Sequence, residues 1–405
     1  MDTQLAPGLA NDAHAIAAEK VISKCVHCGF CLATCPTYNL LGDELDSPRG
    51  RIYLIKQVLE GHEPTARTQL HLDRCLTCRN CETTCPSGVE YGHLIDHGRA
   101  LVEERVARGF VQRVKRKALL LVLPYRKRLA PLLGIGRLFR SVLPASVKAS
   151  IPLKVPAGVW PIAEHQRRML VLEGCAQAAM TPQTNAATAR VLNALGISLI
   201  SQPNAGCCGA IHLHLNVEDN AKALMRQNID AWWPEIEAGA EAIISTASGC
   251  GVMIKDYGHL LADDKTYAQR AARVSELAKD IVEVLTAEDV SALKPVAKSF
   301  GKVAFHPPCT LQHGQKLPQV TEAFLQKLGF TLSPINDAHT CCGSAGTYSI
   351  FQPELSHQLR RNKLENLLMD EPDVIVTANI GCQLHLQSGS GRPVMHWIEL
   401  LDAGL

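Results

Sequence analysis

Hydrophobic positions along the chain fall into two kinds of pattern. Near the start there is one helical stripe, Ile52, Ile55, Val58 and Leu59, with Ser47 placed as its N-cap, Pro48 as its first helical residue and Gly61 closing it. Beyond residue 167 the pattern changes to short apolar runs that lead directly into a cysteine: Met169 to Leu172 before Cys175, Ala242 to Ile244 before Cys250, Val303 to Phe305 before Cys309, and Val374 to Val376 before Cys382. Helical patterns lie between them, such as 185–195 and 320–328, each ended by a glycine, Gly196 and Gly329. This alternation predicts α/β units around short, mostly parallel sheets. Cysteines at strand ends then gather at one sheet edge, where open α/β sheets place their ligand sites.

The second pattern occurs twice. Unit one carries Cys175, the pair Cys207-Cys208-Gly209 and Cys250; unit two carries Cys309, Cys341-Cys342-Gly343 and Cys382. The first interval is 32 residues in both, the interval from the second cysteine of the pair to the last is 42 and 40, and an Asn follows each pair by 20 residues, Asn228 and Asn362. Equal offsets of this kind mark a duplication. Four cysteines per unit are thus expected to meet.

The segment 105–154 separates the two patterns and changes the charge picture. It holds thirteen Lys and Arg and no acid, so a net charge of +2 for the whole chain leaves 2 − 13, a net −11, for the rest. Clusters Arg113, Lys115, Arg116, Lys117 and Arg126, Lys127, Arg128 alternate with apolar residues such as Leu119, Leu120, Leu121, Leu132, Leu133, Leu138 and Phe139. That composition suits an interfacial segment on anionic lipid; the alternative is a solvated linker facing acidic partner subunits. No recognised nucleic-acid-binding motif accompanies the charge, so no nucleic-acid partner is expected. No apolar run reaches the length of a membrane span. The N-terminal residues show neither a basic n-region nor an apolar h-region, so the expected location is cytoplasmic, in a reducing compartment where sixteen cysteines ligate metal instead of pairing.

The densest chemistry lies in front. Cys25, Cys28, Cys31, Cys35, Pro36 and, fifty residues on, Cys75, Cys78, Cys81, Cys85, Pro86 both follow C-x2-C-x2-C-x3-C-P, the bacterial ferredoxin spacing, which specifies two 4Fe-4S clusters with the fourth cysteine of each run ligating the other cluster. One set is therefore Cys25, Cys28, Cys31 and Cys85, and the other Cys75, Cys78, Cys81 and Cys35. A zinc site has no use for a third cysteine at the same step. Two clusters held together form an electron relay. Arg49 and Arg51, in the first turn of the helix between the runs, oppose the usual dipole preference; positive charge there favours a reduced cluster, unless both are plain surface arginines.

With the duplicated elements behind this double run, the chain resembles the iron-sulfur subunits of bacterial flavin-linked 2-hydroxyacid dehydrogenases, and its repeats resemble the cysteine-rich CCG domains of heterodisulfide reductase. The stretches starting at Leu40 (LLGDELDSPRGRI), Asp73 (DRCLTCRNCETTCP) and Thr184 (TNAATAR) look more narrowly like the glycolate oxidase iron-sulfur subunit family. The resemblance implies an oxidoreductase component working beside FAD-containing subunits that oxidise glycolate to glyoxylate, with electrons passed toward a membrane acceptor such as a quinone from a peripheral position on the inner face of the cell membrane. It leaves two other readings open: a heterodisulfide-reductase-like catalyst, or the same role in a lactate or glycerol-3-phosphate dehydrogenase complex. In heterodisulfide reductase the last cysteine of a unit begins C-x-x-C, whereas Met253 and His385 stand at that position here. The eight cysteines of the repeats, Cys175, Cys207, Cys208, Cys250, Cys309, Cys341, Cys342 and Cys382, are thus expected to form a four-ligand cluster, another metal site or a reactive thiol site.

The expected architecture is α+β with α/β repeats: a mostly helical bis-4Fe-4S ferredoxin-like domain (1–104), a basic amphipathic linker (105–166), and duplicated α/β CCG domains (167–300 and 301–405). No G-x-G-x-x-G follows a strand, so a nucleotide fingerprint is lacking and no catalytic residue is assigned. His27 reads as a spacer in its cluster loop, His306 and His313 as packing histidines, proton carriers or ligands, and Trp232 and Trp233 as core or interface residues.

Overall fold

The computed structural model describes all residues except 145–147, 149–150 and 294–296, which include part of the basic linker. The chain forms two compact units. One comprises Met1–Arg116, His214–Asn216 and His339–Lys363; the other comprises Lys117–Leu213, Val217–Ala338 and Leu364–Leu405.

The first unit is helical. Its helices are α1 (Ala13–Ser23), α2 (Phe30–Thr34), α3 (Pro36–Leu41), α4 (Pro48–Leu59), α5 (Ala66–Asp73), α6 (Asn80–Thr83) and α7 (Tyr91–Arg105). Helix α4 begins where its sequence demands: Ser47 accepts the Gly50 N–H through its hydroxyl and Pro48 occupies the first turn. Its apolar stripe, with Ile55 and Leu59 fully buried, packs with Ile22 of α1 and Leu94 and Ile95 of α7 into one core. α4 and α7 cross closely at Gly98, where a Cβ would stand 2.5 Å from the Ile55 side chain.

Two further helices, α8 (Phe110–Val122) and α9 (Arg126–Leu138), carry the basic segment. α8 buries no residue, and Phe110, Val111, Val114 and Leu121 are exposed alongside Arg113, Lys115 and Lys117. Two of the thirteen cations are not free for a surface role: buried Arg108 grips both oxygens of Asp73 (2.6 and 3.0 Å) and Glu103, and mostly buried Arg116 lies beside Asp73 and over the Phe351 ring.

The second unit contains two four-stranded sheets. β1 (Arg167–Val171), β2 (Ile197–Ser201), β3 (Ile243–Ser245) and β4 (Ala278–Asp280) stand in the order β2-β1-β3-β4; β5 (Lys302–His306), β6 (Thr331–Leu332), β7 (Val374–Thr377) and β8 (Val394–His396) stand in the order β6-β5-β7-β8. Every pairing is parallel. Identical strand orders are the structural counterpart of the repeated cysteine spacing. The sheets share one core, in which Val191, Leu192, Ile281, Phe305, Phe324 and Trp397 are buried together, while Trp232 fills a second core beside the first cysteine group. Both predicted helices are present, one a turn longer at its start, as Pro182–Ala194 and Val320–Lys327.

Candidate functional site

The two cysteine runs fold into matching loops. His27 and Thr77, then Gly29 and Arg79, adopt left-handed backbone conformations (φ 54°, 51°, 86° and 58°). A glycine accepts this freely, but at His27, Thr77 and Arg79 it costs about 1–2 kcal/mol each; these residues curl the loop so that three thiols turn inward. The fourth cysteine of each run is carried away by the following short helix.

The result is two cysteine-lined cavities. Cys25, Cys28, Cys31 and Cys85 line one, with Cys81 reaching its wall. Cys75, Cys78, Cys81 and Cys35 line the other. Each cavity thus receives its fourth thiol from the opposite run. None of the sixteen cysteines is joined to another in a disulfide. Burial, helped by the Cys25 and Cys35 thiols and opposed by the Arg49 N–H, raises the Cys31 thiol to about 11, and burial with the Cys78, Cys75 and Cys35 thiols pushes Cys81 well up. Crowded buried thiols that resist ionisation alone are a donor set suited to iron, whose charge compensates four thiolates. The 4Fe-4S group fits both cavities on this chemistry.

The surroundings of the cavities differ. The first opens to solvent at exposed Cys28, flanked by Val26 (69 % exposed) and Phe30 (63 %). Arg49 lies against it, with its guanidinium engaged by Glu44 at 2.6 and 3.3 Å. The second is sealed by Arg51, 1 % exposed, so the alternative of a surface arginine fails for Arg51, whereas Arg49 is a partly exposed arginine paired with Glu44. Arg51 stays charged: burial works against it, but the Cys75, Tyr91, Cys35 and Asp46 groups hold its proton more firmly than usual. Asp43, Asp46 and His71 stand close enough to suggest a cation site. Asp46 instead serves Arg51 at 3.3 Å and Arg74 at 2.9 Å.

In the second unit, Cys175 ends the loop after β1 and Cys250 opens the helix Ser248–Lys255 after β3. Cys207 and Cys208 come between them, and the four sulfurs form a chain of thiol contacts, Cys175 to Cys207 to Cys208 to Cys250. The Cys207 thiol is pulled down by Cys175 but pushed up by Cys208 and burial, with a net rise. Asn228 clamps this loop: its amide accepts the Gly206 N–H at 2.7 Å and donates to the Cys207 carbonyl at 2.9 Å and the Tyr257 hydroxyl at 3.0 Å. Tyr257 in turn donates to the Cys208 carbonyl at 2.9 Å. Sequence reasoning had no signal for Tyr257.

The second repeat departs from the first. Asn362, paired with Asn228 by spacing, is exposed, and the buried residue of that turn is Lys363. The glycine offsets explain this: a Cβ at Gly209 would meet the Ala221 carbonyl, twelve residues on, but at Gly343 the Ser356 carbonyl, thirteen on. One extra residue shifts the register. Cys309 follows β5, and Cys382 opens the helix Ile380–Gln387 with the Asn379 amide 3.5 Å from its sulfur, both in the second unit. Cys341 and Cys342 belong to the first unit, where the Gly343 N–H donates to the Cys341 sulfur at 3.4 Å. His306 is buried with its Nδ1 3.0 Å from the Thr377 hydroxyl. His27 is an exposed spacer of left-handed backbone.

Comparison with known proteins agrees with this layout. A 4Fe-4S dicluster domain model matches residues 21–89, and a cysteine-rich domain model matches twice, at 169–255 and 303–387. The glycolate oxidase iron-sulfur subunit of Escherichia coli (strain K12) is 54 % identical, with 100 % of this chain and 99 % of that protein covered. The probable glycolate oxidase iron-sulfur subunit of Bacillus subtilis (strain 168) is 33 % identical over 92 % of this chain and 90 % of its own length. Lactate utilization protein A of Exiguobacterium is 29 % identical over 57 % of this chain and 95 % of its own. Two cysteine-lined cavities, a dicluster domain and twin cysteine-rich domains, with full-length identity at this level, place the chain in the family of glycolate oxidase iron-sulfur subunits.

Proposed function

We propose that this chain relays electrons within a glycolate-oxidising complex, taking them from FAD-containing partner subunits and passing them toward a membrane acceptor. The observation that carries the reading is the crossing of the cysteine runs into two adjoining cavities that share Cys81 in their walls. A 4Fe-4S cluster in each cavity supplies one-electron chemistry at negative to moderate potential. Cys25, Cys28, Cys31 and Cys85 are the ligands we assign to one, and Cys75, Cys78, Cys81 and Cys35 to the other. The chain's own contribution is positional: left-handed loops aim the thiols, and the α4–α7 core fixes the two loops against each other.

The Cys175, Cys207, Cys208 and Cys250 group is proposed as a further redox or metal site, supported by its continuous thiol contacts and the Asn228–Tyr257 clamp. Cys309, Cys341, Cys342 and Cys382 are assigned the same role by repetition. Oxidation of the substrate belongs to the partner subunits. The exposed apolar and cationic side chains of α8 and α9 support peripheral attachment to anionic lipid, and no helix among the described residues is long and apolar enough to cross a membrane.

Anaerobic reconstitution tests the ligand assignment. About eight irons per chain should bind in the two ferredoxin sites, on the stoichiometry of the cluster type, and Cys35→Ser should damage the cluster of Cys75, Cys78 and Cys81. Loss of the cluster of Cys25, Cys28 and Cys31 instead would refute the crossed assignment.

A further inference from the structure

The two cavities have the same ligands but opposite surroundings. At the second, the Arg51 Nε donates to the His71 carbonyl at 2.7 Å, and its Nη2 donates to the Thr37 hydroxyl at 3.1 Å. That hydroxyl lies 3.4 Å from the Cys35 sulfur. The Cys75 sulfur accepts the Thr77 N–H at 3.4 Å and faces the Tyr91 hydroxyl at 3.8 Å. Asp46 is the one carboxylate joined to Arg51, and it is shared with Arg74. His71 also approaches Asp46 at 3.1 Å and partly exposed Asp43 stands beside it, so buried Arg51 shares its partner carboxylate with other groups and has none of its own. At the first cavity the nearby guanidinium, Arg49, is matched by its own carboxylate, Glu44.

An electron added to an iron-sulfur cluster increases its negative charge, so positive charge and donors to the sulfurs favour the reduced form. Burial by itself has the opposite effect. However, burial also removes the water that would screen Arg51, so a guanidinium that shares its carboxylate acts there more strongly than an exposed, fully paired one. Arg49 is partly exposed and paired, and its field is largely cancelled.

Accepting the two-cluster reading above, we propose that Arg51 sets the order of the two sites, holding the cluster at Cys35, Cys75, Cys78 and Cys81 at the higher potential, so that an electron delivered at the exposed loop around Cys28 settles on the buried site. The step moves one electron: the first cluster is oxidised, the second is reduced, no bond forms or breaks, and Arg51 keeps its proton throughout. The loop with Val26 and Phe30 is then the port where the electron-donating partner comes within reach of a cluster.

The test is a spectroscopic redox titration of the full reconstituted chain. The parent should show two waves. Cys28→Ser should alter or abolish the lower one, which assigns it to the exposed site. Arg51→Gln should move the higher wave down by at least about 59 mV, a tenfold change in a one-electron equilibrium, and leave the lower wave in place; Arg51→Lys should restore most of the shift. If Arg51→Gln does not hold both clusters, Arg74→Gln decides, because removing this partly exposed cation lets Asp46 cancel Arg51 and should lower the same wave. The proposal is overturned if the substitution used leaves the higher wave unmoved or shifts the lower one, or if Cys28→Ser alters the higher wave. A parent chain lacking two clusters would refute the reading beneath it and the proposal together.

Discussion

The third residue of each Cys-Cys-Gly motif gives a quantitative test of how these loops are held. Gly209 and Gly343 have φ of +98° and +90°, and each N–H donates to the sulfur two residues back, at 3.5 and 3.4 Å. Alanine in the left-handed region costs about 1–2 kcal/mol at either site. The space available differs. A Cβ at Gly209 would stand 3.2 Å from the Ala221 carbonyl oxygen, a contact that a small shift relieves; at Gly343 it would stand 2.6 Å from the Ser356 carbonyl oxygen and 2.9 Å from the Leu359 Cβ. Forcing atoms into packed backbone adds about 1–3 kcal/mol. Gly343→Ala should therefore cost about 2–5 kcal/mol and Gly209→Ala about 1–2. Hydrogen exchange read by mass spectrometry on anaerobic protein reports local opening free energies directly. Peptides covering 341–359 should lose roughly thirty- to several-thousandfold in protection in Gly343→Ala, and those covering 207–225 clearly less in Gly209→Ala, since about 1.4 kcal/mol is one decade. Equal losses, or the reverse order, would show that close approach of the following helix is not what requires glycine.

Two further outcomes follow from the same structure. Replacing the exposed cations Arg113, Lys115, Lys117, Lys127 and Arg128 with Gln, while keeping Arg108, Arg116 and Arg126, which carboxylates engage, should remove about 1 kcal/mol of lipid attraction per residue; co-sedimentation with anionic vesicles should fall sharply, and unchanged binding would assign the segment to a protein interface. Burial raises the Asp280 carboxyl from 3.8 to about 7. A folded-state value above the unfolded one means the native state holds the proton longer, so stability is greatest below pH 4 as far as this group is concerned and declines as pH rises to about 7, by up to about 4 kcal/mol. Asp280→Asn, which can still accept the Val282 N–H, should flatten that decline in urea midpoints between pH 5 and 8; an identical slope in parent and variant would contradict it.

Much of the arrangement was legible because it rests on spacing. The strands that lead toward Cys175, Cys250, Cys309 and Cys382 were readable as apolar runs, and the crossed cavities follow from the C-x2-C-x2-C-x3-C step and the helix that carries the fourth cysteine away. What spacing cannot carry is environment. Thr77 and Arg79 have no composition that announces left-handed backbone; the tertiary loop imposes it. Arg51 reads in sequence as either a charge serving the clusters or a surface arginine until Asp46, Thr37 and the His71 carbonyl are seen to satisfy its guanidinium in the interior. The Asn362 equivalence failed because the extra residue between Gly343 and Ser356 rotates the following helix, a shift that the cysteine intervals of 42 and 40 do not locate. Charge counting overstated the basic surface for a similar reason: Arg108 and Arg116 look identical in sequence to their neighbours, yet Asp73 and Glu103 draw them inward.

The relay assignment is tested most directly by adding glycolate anaerobically to the reconstituted, oxidised chain with and without the flavoprotein subunits of its complex, and following the visible absorbance of the clusters. The chain alone should keep its oxidised spectrum indefinitely, and should bleach only when the flavoprotein is present. Bleaching of the isolated chain by glycolate, or failure to bleach with an active flavoprotein partner, would contradict an electron-transfer role between substrate oxidation and acceptor.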